Sequence, residues 1–204
     1  MRLTDAYGDL LSMERMIVTT REAAARWHVE QRTAGQRLRA MEESGLLLRL
    51  RRGYWALDPT LDPFVAPPYL TTPLPAYVSL WSALARHGMI EQIPRQVSVA
   101  SLARARRITT AIGVYSIHRL APEVFGGFQG SEATGYLATP EKALFDTVYV
   151  RAAAGSRAFF PELSLPKSFD KTEAEEWVGR IQSSRLRTLV SRRLRAAMRG
   201  ARRD

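Results

Sequence analysis

The chain has no cysteine and no asparagine, only three lysines and three histidines, and no long apolar run. Without cysteine there is neither a disulfide framework nor a thiolate metal site. His28, His87 and His118 fall in three separate segments with no HxxxH or HExxH spacing, so no metal and no other cofactor is expected. Neither a GxxxxGKS/T loop nor a GxGxxG loop is present to cradle a nucleotide. No apolar stretch approaches the roughly 20 residues that a bilayer span needs. The start, MRLTDAYGDLLSMERM, carries acids and lacks the apolar centre of a signal peptide, so a cytoplasmic protein with no membrane partner is expected.

What is abundant is arginine. It outnumbers lysine 27 to 3, a bias that GC-rich coding explains, but its clustering is not explained that way. The net charge is +10 in 204 residues, and 46% of the residues are hydrophobic, enough for one or two globular domains. Residues 1–63 hold 10 arginines against 9 acids, whereas residues 64–204 hold 20 basic residues against 11 acids. Most of that excess lies in Ser183–Asp204, where eight arginines face one aspartate. A second, local cluster is LLLRLRRGYWAL, Leu46–Leu57, with Arg49, Arg51 and Arg52 around Gly53. Polyanions are the expected partners of such clusters.

Six of the eleven prolines fall in Asp58–Pro75, which reads as an extended, semi-rigid connector. The domains expected are therefore 1–60, a linker over 61–75, and 76–204. Before the connector, Tyr7–Ile17 has a broad apolar side suited to a first helix. Thr20 can cap a second helix over Arg21–Trp27. After a break at His28–Glu30, a third helix over Gln31–Ser44 places Ala34, Leu38 and Met41 at i, i+4 and i+7, and Gly45 stops it. Two strands follow, Leu46–Leu50 and Tyr54–Leu57, joined at Arg51–Arg52–Gly53. Three helices and a hairpin in this order predict a winged helix-turn-helix. Its third helix would lie in a major groove with Ala34, Leu38 and Met41 on the core. Gln31, Arg32, Thr33, Gln36 and Arg37 would then reach base edges or phosphates, and Arg49, Arg51, Arg52 and Tyr54 would form the wing. Double-stranded promoter DNA is the expected partner. Helix-turn-helix folds also serve as protein docking modules, and short arginine runs are often solvated tips.

After the connector, Tyr77–Met89 reads as a helix ended by Gly88, with strand-like runs at Gln96–Ala100, Gly113–Arg119 and Thr134–Ala138. Gly126–Gly135 reads as a flexible loop. Leu137–Asp146 opens a further helix, with Thr139 as its cap, Pro140 at the first position and Glu141 in the first turn. The fold expected is α+β: the winged helix, then a larger mixed domain with a small sheet and C-terminal helices. Taken together, REAAARWHV, RRGYWAL, YVSLWSALARHGMIEQIP and YLATPEKALFD resemble the AbiEi antitoxins over roughly Thr19 to Val150. The resemblance implies the antitoxin half of a type IV toxin–antitoxin, abortive-infection pair. In that family the winged helix binds inverted repeats in the operon's own promoter and represses it. The C-terminal domain counters a nucleotidyltransferase toxin encoded alongside, typically without a stable complex. Two copies on an inverted repeat follow from this, although no dimer stripe in the sequence requires a dimer in solution.

Glu141, Lys142 and Asp146 invite a catalytic reading, yet Lys142 and Asp146 are i and i+4 and read as an ordinary surface pair. No catalytic residues and no enzyme are expected. In SSRLRTLVSRRLRAAMRGARRD, Leu186, Leu189, Val190, Leu194 and Ala197 make one helical stripe, and Arg185, Arg187, Arg192, Arg193, Arg195 and Arg199 occupy much of the rest. This segment reads as a docked terminal helix with a frayed basic tail, as a second DNA face, as a contact for an RNA-like or acidic partner, or as a membrane-surface helix. The alternative to an antitoxin is a winged-helix regulator with a ligand- or partner-sensing C-terminal domain and no toxin. An enzyme acting on nucleic acid is a third reading.

Overall fold

A computed structural model describes residues 2–160 and 162–203; Asp204, the one acid of the basic C-terminal segment, lies outside it. The first helix, α1, spans Leu3–Leu11, earlier than the expected Tyr7–Ile17. Glu14 turns the chain at φ 54°, and Ile17–Val18–Thr19 then leaves as strand β1. Three β-branched residues in a row lose side-chain freedom in a helix and suit a pleated strand. Helix α2 (Thr20–Arg26) is capped by Thr19, not by Thr20, through a reciprocal pair: the Glu22 N–H donates to Thr19 Oγ1 at 3.1 Å, and the Thr19 N–H donates to Glu22 Oε2 at 2.7 Å. Helix α3 (Gln31–Glu43) ends before Gly45, which adopts φ +76°.

The hairpin β2 (Leu48–Arg51) and β3 (Tyr54–Ala56) turns at Gly53, where φ is +81°. β1 joins it, giving an antiparallel sheet in the order β1-β3-β2. One face of that sheet, with Val18 and Trp55, packs on Leu10, Ala23, Leu38 and Met41 of the helices. The other face, with Ile17, Leu50 and Ala56, packs on Leu61, Val65, Leu70, Val99 and Tyr115 from the chain that follows. The hairpin is covered on both sides rather than extended into solvent.

The expected extended connector is also folded. Asp62 caps a 3-10 turn at Pro63–Val65, and helix α4 runs over Pro67–Thr71. Pro63, Pro67 and Pro68 sit in the first turns, where a missing N–H leaves no bond unmade. Leu61, Val65, Ala66 and Leu70 are buried, which anchors the segment.

The second sheet has six strands, not three, in the order β6-β7-β5-β4-β9-β8. They are β4 (Ala76–Val78), β5 (Val97–Ser101), β6 (Arg106–Thr110), β7 (Gly113–Arg119), β8 (Phe128–Ser131) and β9 (Gly135–Ala138). β4 pairs with β9, and β5 with β7, in parallel; the other neighbours are antiparallel. Two expectations change here. Tyr77 and Val78 belong to β4, so the helix that follows, α5, covers only Leu80–Arg86. The stretch expected as a loop at Gly126–Gly135 contributes β8 to a hairpin. β5, with the sequence VSVAS, is buried throughout, because helices cover one face of the sheet and the β1–β3 sheet with α4 covers the other.

Helices α5, α6 (Pro140–Ala153), α7 (Lys171–Gly179) and α8 (Ser184–Gly200) close the far face. Val190, Leu194 and Met198 anchor α8 in that core. The tail after α8 is not frayed: the Arg202 N–H donates to Leu163 O at 2.8 Å, and the short strands β10 (Ser164–Leu165) and β11 (Arg202–Arg203) pair in parallel. Among the described residues no helix is long and apolar enough to cross a membrane.

Candidate nucleic-acid interface

The surface of interest is built on α2, α3 and the β2–β3 corner. Ala34, Leu38 and Met41 are fully buried, which fixes the rotation of α3 about its axis. The face turned away from them carries Arg32, Gln36 and Arg39 at i, i+4 and i+7, all exposed. Gln31 is exposed at the first turn. Thr33 and Arg37, expected on the same face, are half-buried on its flank, and the Arg37 guanidinium lies 5.8 Å from the Trp27 ring. Arg39 replaces Arg37 as the outward cation. Its place is legible from the spacing, since all three fall on the side of the helix away from the middle of the Ala34–Leu38–Met41 stripe.

The hairpin corner is held against the start of α2, where the Thr20 N–H donates to Gly53 O at 2.9 Å. Trp55 Nε1 donates to Thr20 Oγ1 at 2.9 Å, tying the same two elements through side chains. Arg52, at the corner, is exposed. Arg49 is exposed and rests 5.7 Å from the Trp55 ring. Arg51 departs from the expected role. Its guanidinium lies 4.1 Å from the Tyr54 ring, and its Nε is buried without a hydrogen-bond partner. Tyr54 in turn makes an edge contact with Tyr69 of α4 at 6.4 Å between centroids. The pairing register of β2 and β3 shifts between Arg49 and Arg51, so these two residues do not share one orientation along the ribbon. Of the three wing arginines, two face water, while Arg51 stacks on Tyr54, the ring that joins the hairpin to α4.

The basic C-terminal helix divides in the same way. Arg187 donates from Nε to Ile181 O at 2.8 Å and from Nη2 to Gln182 O at 3.2 Å. Arg193 donates to the Ser156 carbonyl, and Arg195 grips Glu175 with two bonds of 2.9 and 3.3 Å. These three hold α8 to its surroundings. Arg185, Arg192 and Arg199 recur every seven residues, are exposed, and have no polar side-chain partner among the described residues.

The expected surface pair Lys142–Asp146 lies in the middle of the second core, with both side chains fully buried. Asp146 accepts from Lys142 Nζ, from Ser79 Oγ at 2.7 Å and from Tyr77 Oη at 3.0 Å. Lys142 Nζ is also 4.7 Å from the Trp177 ring and 5.0 Å from that of Phe145. Burial pushes the Asp146 carboxyl up and the Lys142 ammonium down, and their mutual attraction opposes both shifts. The same burial, with Asp146 adjacent, pushes the Tyr77 phenol far above its usual range. Glu141 is buried as well, and its Oε1 accepts the Asp170 N–H at 2.9 Å. The quartet Tyr77, Ser79, Lys142 and Asp146, buried throughout, joins β4 and the start of α5 to α6. Comparison with protein-family models and with curated proteins gives no match for this chain.

Proposed function

We propose that the N-terminal part is a winged helix-turn-helix that binds double-stranded promoter DNA, and that the protein represses its own operon while counteracting a neighbouring nucleotidyltransferase toxin. The observation that carries the DNA reading is the outward line Arg32, Gln36, Arg39 on a helix whose opposite face is locked by Ala34, Leu38 and Met41. A helix fixed in this way can enter a major groove and offer guanidinium and amide forks to base edges. Arg52 and Arg49 sit on a corner pinned to the start of α2, a place from which they would reach adjacent phosphates and set the register. The antitoxin half of the proposal rests on the sequence resemblance alone. A regulator with no toxin partner is the competing reading, separated from the first by the presence or absence of a nucleotidyltransferase gene beside this one.

The test is a duplex titration with the DNA upstream of the gene at several salt concentrations. Arg32→Ala combined with Arg39→Ala should weaken binding at least tenfold and flatten the log–log salt slope by about two. Unchanged affinity and slope would remove α3 from the interface. For the toxin arm, the full chain carrying both substitutions should still rescue toxin-arrested cells. A fragment beginning at Phe64 is unsuitable for this, because it would bare the sheet face of Val99 and Tyr115 that Ile17, Leu50 and Ala56 cover.

A further inference from the structure

A cleft of about 410 Å³ opens on the side of the molecule where α5, the start of β5 and the β6–β7 turn meet the 3-10 turn at Pro63–Val65. Phe64, Ile112, Val114 and Val97 give it apolar walls, and Arg86 and Arg95 stand among its lining residues. The two cations are not equivalent. Arg86 Nη2 is 3.1 Å from Asp62 Oδ2, and its guanidinium lies 5.1 Å from the Phe64 ring, so its charge is already answered. Arg95 is exposed and has no hydrogen-bond or ion-pair partner among the described residues. At the rim stands Ile93, 90% exposed, the most exposed large apolar side chain described. A molecule bound in the cleft would cover Ile93 together with the apolar walls, and the buried area would favour binding.

The geometry points to a binding site for a small amphipathic organic anion, with its flat apolar body between Phe64 and the Ile112–Val114 wall and its anionic head at Arg95. The volume suits a one- or two-ring compound, and a few polar groups on an otherwise apolar concavity are what such sites present. A neutral ligand would leave Arg95 unanswered; a cation would meet it with repulsion. A carboxylate and a phosphate monoester share the required chemistry. This site is independent of the α3 surface and does not rest on the DNA reading.

The experiment uses the full chain, 15N-labelled, titrated separately with 2-naphthoate, 2-naphthyl phosphate and the neutral 2-naphthalenemethanol. With 2-naphthoate or the phosphate, the amides of Val97, Gly113 and Val114 should shift saturably, with a Kd of about 1 mM or tighter for ligands of this size. Which anion binds more tightly identifies the head group. The alcohol should bind at least tenfold more weakly. Arg95→Glu and Ile93→Asp, both at exposed positions, should each weaken the better anion at least tenfold. Arg192→Glu, the same charge change on α8, should leave it unchanged. Shifts centred elsewhere, no saturable shift, equal binding of the alcohol, or equal effects of Arg95→Glu and Arg192→Glu would each overturn the assignment.

Discussion

Helices α3 and α6 both carry acidic and basic residues, and the fold disposes of them in opposite ways. α3 packs on one side only: it buries Ala34, Leu38 and Met41 and sends Arg32, Gln36 and Arg39 into water. α6 has the six-stranded sheet on one side and α5, α7 and α8 around the rest, and every residue from Glu141 to Val148 is buried along with Tyr149. A charge on α3 is free to meet a partner. A charge on the buried stretch of α6, Glu141 to Tyr149, must find its partner inside the protein, and Lys142, Asp146 and Glu141 each do. Charge in such a chain is therefore informative about partners only after the packing of its helix is known.

The sharpest way to break this contrast is Lys142→Met. It strands a buried carboxylate and should cost about 3–5 kcal/mol in urea unfolding, whereas Lys142→Met with Asp146→Leu should recover most of that loss. Arg32→Ala and Arg39→Ala should stay within about 0.5 kcal/mol of wild type. If Lys142→Met were as mild as Arg32→Ala, the interior quartet would not be what fixes β4 to α6.

Next in size is Gly127→Ala. Gly127 adopts φ +70°, and an added Cβ would lie 2.6 Å from the Trp177 ring and 2.9 Å from Lys142 Cγ. Backbone strain and overpacking together should cost about 2–4 kcal/mol. The neighbouring rings are what shield Lys142, so the near-ultraviolet circular dichroism of Trp177 should change as well. A near-wild-type unfolding curve would mean that the Trp177 ring and the Lys142 stem move aside for the added methyl at little cost.

Within α8 the contrast can be sharpened residue by residue. Arg193→Ala and Arg187→Ala leave carbonyls of Ser156, Ile181 and Gln182 without their donors and should cost about 1–2 kcal/mol each. Arg185→Ala, Arg192→Ala and Arg199→Ala should fall within about 0.5 kcal/mol. Equal costs in both sets would show that the two groups of arginines are not functionally distinct. Deleting the helix would not make this distinction, because Val190, Leu194 and Met198 would leave the core with it.

The pattern of successes along the chain follows from the same physics. α3 was readable because one-sided burial leaves a 3.6-residue period, and the hairpin because Gly53 marks its corner. β1 goes unannounced, with only its first residue, Ile17, inside the expected helix Tyr7–Ile17, since three residues are too few for a period and only their β-branching gives a sign. The prolines of 58–75 read as an extended connector, because proline composition says nothing about whether each ring falls in a helical first turn. β6, with the sequence RRITT, is an edge strand whose face toward β2 is only partly covered, so no alternation announced it. For α6, Lys142 and Asp146 at i and i+4 look the same on a solvated face as in a core, and nothing local separates the two. At the candidate interface, Arg51 cannot be separated in sequence from Arg49 and Arg52, because the register shift between Arg49 and Arg51 and the stacking of Arg51 on Tyr54 exist only in the folded hairpin.

The smallest effect expected concerns His118 of β7, which feels the charge of Arg151 at the exposed end of α6. His118 is half-buried, with Nε2 3.1 Å from Ser116 Oγ, and burial followed by the Arg151 charge lowers its pKa below the ordinary histidine value. The unfolded chain then takes up a proton near pH 6.5 that the folded chain still refuses. Stability from this group is complete above that pH, falls as the pH drops through it toward the folded-state pKa, and changes no further below that. His118→Gln removes the titration, so the loss of Tm between pH 7.5 and pH 5 should be smaller in the variant than in wild type. Arg151→Gln should give part of the same relief, because it takes away the second cause and leaves the first. If both variants lost Tm in parallel with wild type, neither the burial of His118 nor the Arg151 charge would be shifting its titration.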